Sequence, residues 1–176
     1  EAPSTESDQG GIAEIVVTAR KQSESLQDVP MSISAISGEN LENAGYSELN
    51  DVARLSGNVF FEAADRSKPQ IYIRGVGTRS YDAGSDSSVG IFVDGVYLGR
   101  FGAMDMDLME VERVELLRGP QGSLYGRNTI GGAISVVTRD PSSTFRGKLS
   151  GELGTSDIGG DWLYSLGASV SGPLAG

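Results

Sequence analysis

Apolar residues recur along this chain at two spacings, and the change from one to the other organises the reading. In MSISAIS, Met31 to Ser37, Met31, Ile33 and Ala35 alternate with Ser32, Ser34 and Ile36, which predicts a strand with one mostly apolar face. Ser37 is placed to cap a short helix in GENLENAG that Gly45 closes. A second helix is predicted from Ser47, with Leu49, Val52, Ala53 and Leu55 on one stripe and Gly57 at its end. Beyond it the spacing becomes that of strands: NVFFEAA, PQIYIRGV, VERVELLRG from Val111 to Gly119, and AISVVT from Ala133 to Thr138. VGIFVDGVYLG reads as two strand arms around Asp94-Gly95, a two-residue hairpin turn. Short helices early and strands later predict an α+β domain on a small mixed β-sheet, interrupted by a long polar loop from Thr78 to Ser88.

Two segments lie outside that domain. In the last thirty or so residues Leu149, Gly151 and Leu153 alternate with Ser150 and Glu152. After TSDIGG, Trp162, Tyr164, Leu166, Ala168 and Val170 alternate with small or polar residues, Leu163 excepted. The pattern predicts a hairpin with one apolar and one hydrophilic face, which fits a half-buried hairpin of a soluble protein and equally a strand pair of an outer-membrane barrel. At the other end EIVVT, Glu14 to Thr18, is a short strand-former between the polar, acidic EAPSTESDQGG, expected to be disordered, and the polar ARKQSESLQDVP. With no evident local partner, it reads either as an edge strand of the following domain or as a detached segment that adds to another protein's sheet.

Charge and composition remove whole classes of function. Lys and Arg number 14 against 24 Asp and Glu, a net charge of −10, and the basic residues do not cluster, so no nucleic-acid partner is expected. The absence of Cys and His removes thiol nucleophiles, imidazole acid/base chemistry and Cys/His zinc sites, and no metal or cofactor is expected. No apolar run approaches the ~20 residues of a membrane-spanning helix, so contact with a membrane would be made through strands. The strand around Glu112 carries charge on both parities: Glu112 and Arg118 on one, Arg113 and Glu115 on the other. That describes either a short exposed element or a sheet enclosed by polar groups outside the domain.

The glycine-rich run RGPQGSLYGRNTIGGAISVVT, Arg118 to Thr138, contains no Lys, and Gly75-Val76-Gly77 lacks the third glycine of a dinucleotide loop. Its glycines are expected to provide positive φ and close backbone approach rather than a phosphate cradle. The acids of DMDLMEVE lack the glycine and the terminal spacing of a calcium loop.

Taken together these stretches resemble the plug domain of TonB-dependent outer-membrane receptors, over nearly the whole chain. EIVVTA is similar to the TonB box, Ile73-Arg74-Gly75 to the family's Ile-Arg-Gly motif, Asp94-Gly95 to its Asp-Gly motif, and MEVERVELLRGPQGSLYGRNTIGGAISVVT is the longest match. The resemblance implies a plug inside a barrel of about 22 strands. It divides the chain into residues 1–30, an N-terminus with the TonB box at 14–18 and a linker; 31–141, the plug; and 142–176, the first two strands of a transmembrane β-barrel. It implies an outer-membrane location in a Gram-negative bacterium with the N-terminus in the periplasm, and lipid contact through the last hairpin alone. Glu14, Ile15, Val16, Val17 and Thr18 would bind the C-terminal domain of TonB by strand addition. The residues from Ala19 to Pro30 would reach at most about 40 Å, at ~3.3–3.6 Å each. Substrate contacts are expected among Arg79, Tyr81, Asp82, Tyr97, Arg100 and Phe101 on outward loops. Arg74, Glu112, Arg113, Glu115 and Arg118 are expected to hold the plug to the barrel wall. A ferric siderophore is the first expected cargo and an oligosaccharide or another nutrient the second. A soluble interaction module without a transport role is the reading from another class, and no nucleophile-base pair supports an enzyme.

Overall fold

The computed structural model describes residues 15–18, 22, 24–62, 70–79, 85–99, 108, 110–155 and 162–173. Its centre is a mixed five-stranded sheet in the order β3-β9-β10-β7-β8, formed by β3 (Ile33–Ser37), β7 (Val89–Val93), β8 (Val96–Tyr97), β9 (Val111–Arg118) and β10 (Gly132–Thr138). β9 runs antiparallel to both β3 and β10, while β10 and β7 are parallel, with Ile134 opposite Ile91. A three-stranded antiparallel sheet, β4 (Val59–Glu62), β5 (Gln70–Ile73) and β6 (Val76–Gly77), packs beside it.

The helices are short, as expected. Ser37 caps α1 (Gly38–Asn43) by accepting from the Asn40 N–H at 3.2 Å, and Gly45 follows with φ 71°. The second predicted helix is a single 3-10 turn at Leu49–Asp51 that runs into α2 (Val52–Leu55), with Leu49 and Val52 fully buried. A further turn of helix, α3 (Gly122–Tyr125), lies inside the glycine-rich run, where the sequence pattern predicted none.

Alternation along the central strands feeds two separate cores. Val114 and Leu116 of β9, Ile134 and Val136 of β10 and Val89 and Ile91 of β7 face one side, against Leu41, Leu49, Val52, Val59, Ile71 and Ile73. Leu117, Ala133 and Phe92 face the other, against Val17 and Val29, with Ile15, Leu26, Ile33, Tyr97 and Tyr125 partly buried around them. Both faces of the sheet are therefore covered, and β7 and β10 read as nearly continuous apolar runs, whereas β9 carries charges within its run.

The glycines act as backbone elements. Gly132 has φ 149°, and a Cβ there would lie 2.3 Å from the Leu117 carbonyl oxygen, so the β9–β10 pairing depends on its bare backbone. The Asp94-Gly95 turn is present, with φ 48° and 80°. An equivalent turn at Arg74-Gly75, φ 54° and 78°, divides what the sequence read as one strand into β5 and β6. Arginine is uncommon in a left-handed turn position, so nothing in the side-chain pattern announced this one.

β11 (Arg146–Thr155) and β12 (Trp162–Ser171) form the predicted hairpin, in register from Arg146↔Ser171 to Thr155↔Trp162. Its apolar face points to solvent: Leu149, Leu153, Trp162, Tyr164, Leu166 and Val170 are 69–84% exposed. Its polar face meets the sheet domain. Lys148 Nζ pairs with Glu42 at 2.7 Å, the Ser47 hydroxyl donates to Glu152 at 3.4 Å, and the Ser169 hydroxyl to Glu110.

Candidate functional site

The N-terminal strand-former is not isolated. β1 (Val16–Val17) pairs antiparallel with β2 (Glu24–Ser25), Val16 opposite Ser25 and Val17 opposite Glu24, and the Leu26 N–H donates to the Ile15 carbonyl at 2.9 Å. This corrects the expectation that no local neighbour exists. Glu24 and Ser25 have no strand preference, but a ladder uses backbone groups that every non-proline residue carries. Leu26 and Val29 then anchor the returning chain in the same apolar cluster. Val17 is fully buried against Val29, Phe92, Leu117 and Ala133, while Val16 is 46% exposed. Burial of one valine contributes about 1.5–3 kcal/mol, and each ladder bond nets about 0.5–1.5 kcal/mol. Such a hold is reversible.

Beneath this strand lies the charge that the sequence pattern left unexplained. Glu115 sits on β9 between Ala35 of β3 and Ser135 of β10 and is completely buried. Its Oε1 accepts from the Thr18 N–H at 2.8 Å, the Thr18 hydroxyl at 3.2 Å and Arg113 Nε at 2.8 Å. Arg113 also donates to the Thr18 hydroxyl at 3.2 Å through Nη2 and pairs with Glu112 through Nη1 at 2.5 Å. A buried carboxylate requires such partners, because an unpaired one carries the full cost of lost hydration. Its second oxygen, Oε2, is buried with no hydrogen-bond partner. Burial raises the Tyr125 pKa above its ordinary value, the Glu115 charge adds to this, and a hydrogen bond with Ser135 opposes both.

Arg74 and Arg118 form the other notable group. Arg74 Nη2 donates to the Ser32 hydroxyl at 2.7 Å, and the Arg118 N–H donates to the Ser32 carbonyl at 3.0 Å. Arg118 Nε is buried without a hydrogen-bond partner, and burial, followed by the neighbouring Arg74 charge, lowers the Arg118 pKa. Among the described residues neither guanidinium has a carboxylate within ion-pair distance.

The residues expected at one outward surface fall in different surroundings. Arg79 lies 3.8 Å from Glu62. Tyr97 packs into the cluster that holds Val17, its ring 5.5 Å from that of Phe92 and its hydroxyl accepting from Asn128 Nδ2 at 2.9 Å. Glu14, Tyr81, Asp82, Arg100 and Phe101 lie outside the described residues. Of the residues expected at the barrel wall, Arg113 and Glu115 turn inward to Thr18 and Glu112 joins them through Arg113. Among the described residues Arg74 and Arg118, of this set, hold charge with no carboxylate within ion-pair distance. Sequence reasoning missed Thr18 as the target of Glu115, and it missed Ser32 and Tyr125. The one available signal was an acid inside an apolar run, at Glu115.

Comparison with known proteins bears on this arrangement. The family model described as TonB-dependent Receptor Plug Domain matches residues 25–133, more than half of the chain. The pesticin receptor of Yersinia pestis is 34% identical over 169 residues, covering 91% of this chain and 23% of that protein. The crystal structure of the ferric yersiniabactin uptake receptor FyuA from Yersinia pestis is similar with a TM-score of 0.69 and 30% identity, over 82% of this chain and 22% of that one. The siderophore receptor PirA from Pseudomonas aeruginosa matches with a TM-score of 0.63 and 27% identity, over 84% and 26%. The chain thus spans about a quarter of the length of the proteins it resembles.

Proposed function

The chain belongs to the TonB-dependent receptor plug domain family, and on that premise we propose that it is the gate and cargo sensor of an active importer whose energy arrives through β1. It is a domain of a Gram-negative outer-membrane receptor. In this reading Glu14 to Thr18 is the strand offered to the C-terminal domain of TonB, residues 31–141 are the plug, and residues 142–176 begin the barrel. The observation that carries it is the form of β1, a strand of two residues laid on the plug sheet through one buried valine and one buried carboxylate. Such an element can leave without unfolding the core. Cargo bound on the far side would shift the population in which it is released.

Cargo is proposed as a ferric siderophore, on the names of the relatives. No catalytic step is proposed, and the relatives are receptors rather than enzymes. The hairpin is proposed as the lipid contact. Ten residues in each strand suit a tilted crossing, since membrane strands need about 9–11. Trp162 and Tyr164 stand near one end of the exposed face and Phe145 near the other, where interfacial aromatics belong. Docking of β1 is also what a self-contained soluble module would show, but such a module would not leave this face bare, or Arg74 and Arg118 without carboxylates among the described residues.

The test is Val16→Pro in the full-length receptor. Val16 turns its N–H away from β2, so proline there removes a donor needed by an added strand and spares the β1–β2 ladder. Cargo-dependent growth on ferric chelates as the sole iron source should be lost while cargo binding persists. Undiminished uptake would remove the assignment of 14–18.

A further inference from the structure

The outer edge of β1 is already occupied. The Leu26 N–H meets the Ile15 carbonyl, so Ile15 and Val17 direct their peptide groups toward β2. Those of Val16 and Thr18 point the other way, because the directions alternate along a strand. On that outer side the Thr18 N–H meets no strand. It meets Oε1 of Glu115 at 2.8 Å, as it would the carbonyl oxygen of a neighbouring strand.

We propose that the Glu115 carboxylate stands where the carbonyl of an added strand would sit, so that docking on the plug and pairing with a partner strand exclude each other at Thr18. Glu115 is then a positioning residue that sets how readily β1 is surrendered. This rests on the strand-addition reading above and names the group that regulates it.

The chemistry suits a latch. A carboxylate accepting from an amide makes a charge-assisted bond, roughly twice as strong as a neutral one. Glu115 projects from β9, which is paired on both sides, so the acceptor is held by an inner strand of the plug sheet. Arg113, two residues earlier and on the same face, donates to the same carboxylate oxygen and to the Thr18 hydroxyl. When β1 leaves, Glu115 keeps Arg113 as its partner, so the released state does not strand a buried charge. Thr18 contributes two donors, and its hydroxyl is the part that can be removed without touching the backbone bond.

The test uses the full-length receptor without cargo, carrying Val16→Cys labelled with a nitroxide at that half-exposed position. The variants are Thr18→Val, which removes the hydroxyl, and Glu115→Gln, which removes the charge and keeps the shape. Each should raise the mobile fraction of the label and tighten binding of purified TonB C-terminal domain, by roughly tenfold for loss of a charged hydrogen bond. The double variant should gain no more than the stronger single one, since both act on one contact. A peptide of residues 14–20, which has no plug to dock on, should bind the TonB domain more tightly than the intact receptor does. That gap should close in the variants. An immobile label and unchanged affinity in both folded variants would overturn the latch. Should Glu115→Gln not fold, the label mobility of Thr18→Val decides, because Thr18 also belongs to the strand offered to TonB. A rise in mobility while neither receptor nor peptide binds TonB would leave the latch standing and remove the strand-addition reading.

Discussion

Tyr125 reports on the Glu115 charge from a second direction. Its ring lies edge-on to Phe92 at 4.7 Å in the cluster that receives Val17, and its pKa is raised by burial first and by Glu115 second. For an acid whose folded pKa exceeds its unfolded value, the neutral form is the one the fold favours. Its contribution to stability is therefore complete below the ordinary tyrosine pKa of about 10 and is lost as the pH rises through the folded value. Ultraviolet titration of the receptor, taken as the difference between the native protein and Tyr125→Phe, should show one tyrosinate forming above that ordinary value. Glu115→Gln should bring this titration down part of the way, because burial, the larger cause, remains. A tyrosinate midpoint indifferent to Glu115 would mean that the carboxylate does not act on the Tyr125 hydroxyl.

Among the elements, the β9–β10 pair shows most directly how local chemistry decides the fold. Any side chain at Gly132 must move the Leu117 carbonyl, the start of the antiparallel ladder, and must also accept a φ of 149°. Gly132→Ala should therefore cost about 3 kcal/mol locally, read as a roughly hundredfold faster hydrogen exchange of the Ala133–Val136 amides in the intact receptor. Gly122→Ala, in α3 with open space around it, should leave the same amides unchanged. The glycine-rich run was legible as backbone chemistry because it lacked the residues of a phosphate loop. The β11–β12 hairpin was legible because one exposed face makes the alternation plain. The central strands were legible as strands but not by face, since both faces are buried and Leu116-Leu117 looks alike from either side. The β1–β2 pair was hidden altogether, for Glu24 and Ser25 have no strand preference and the ladder itself is made by backbone groups. Arg74-Gly75 was hidden as well, because the turn places arginine where asparagine or glycine is usual.

At the scale of the whole molecule, the unanswered charges of Arg74 and Arg118 separate the chain alone from the chain in its receptor. Among the described residues the Arg74 guanidinium bonds the Ser32 hydroxyl, the Arg118 backbone N–H bonds the Ser32 carbonyl, Arg118 Nε is buried without a partner, and the Arg74 charge adds to burial in lowering the Arg118 pKa. In isolation this arrangement costs stability, so Arg118→Leu, which keeps the bulk and removes the charge, should leave thermal unfolding of the 176-residue chain in detergent unchanged or raise its midpoint. In the full receptor, where we propose that the barrel wall supplies the missing carboxylates, the same substitution removes one side of an enclosed ion pair. Breaking such a pair costs about 3–5 kcal/mol, because the remaining charge keeps its desolvation and loses its partner. The plug of the variant receptor should then unfold earlier, and planar-bilayer recordings should show ion leak through the barrel. The opposite signs are what distinguish an attachment to the wall from an ordinary structural arginine, which would lower both midpoints together. Arg74→Leu should behave in the same way to a smaller extent, since Arg74 also loses its bond to Ser32 in both settings.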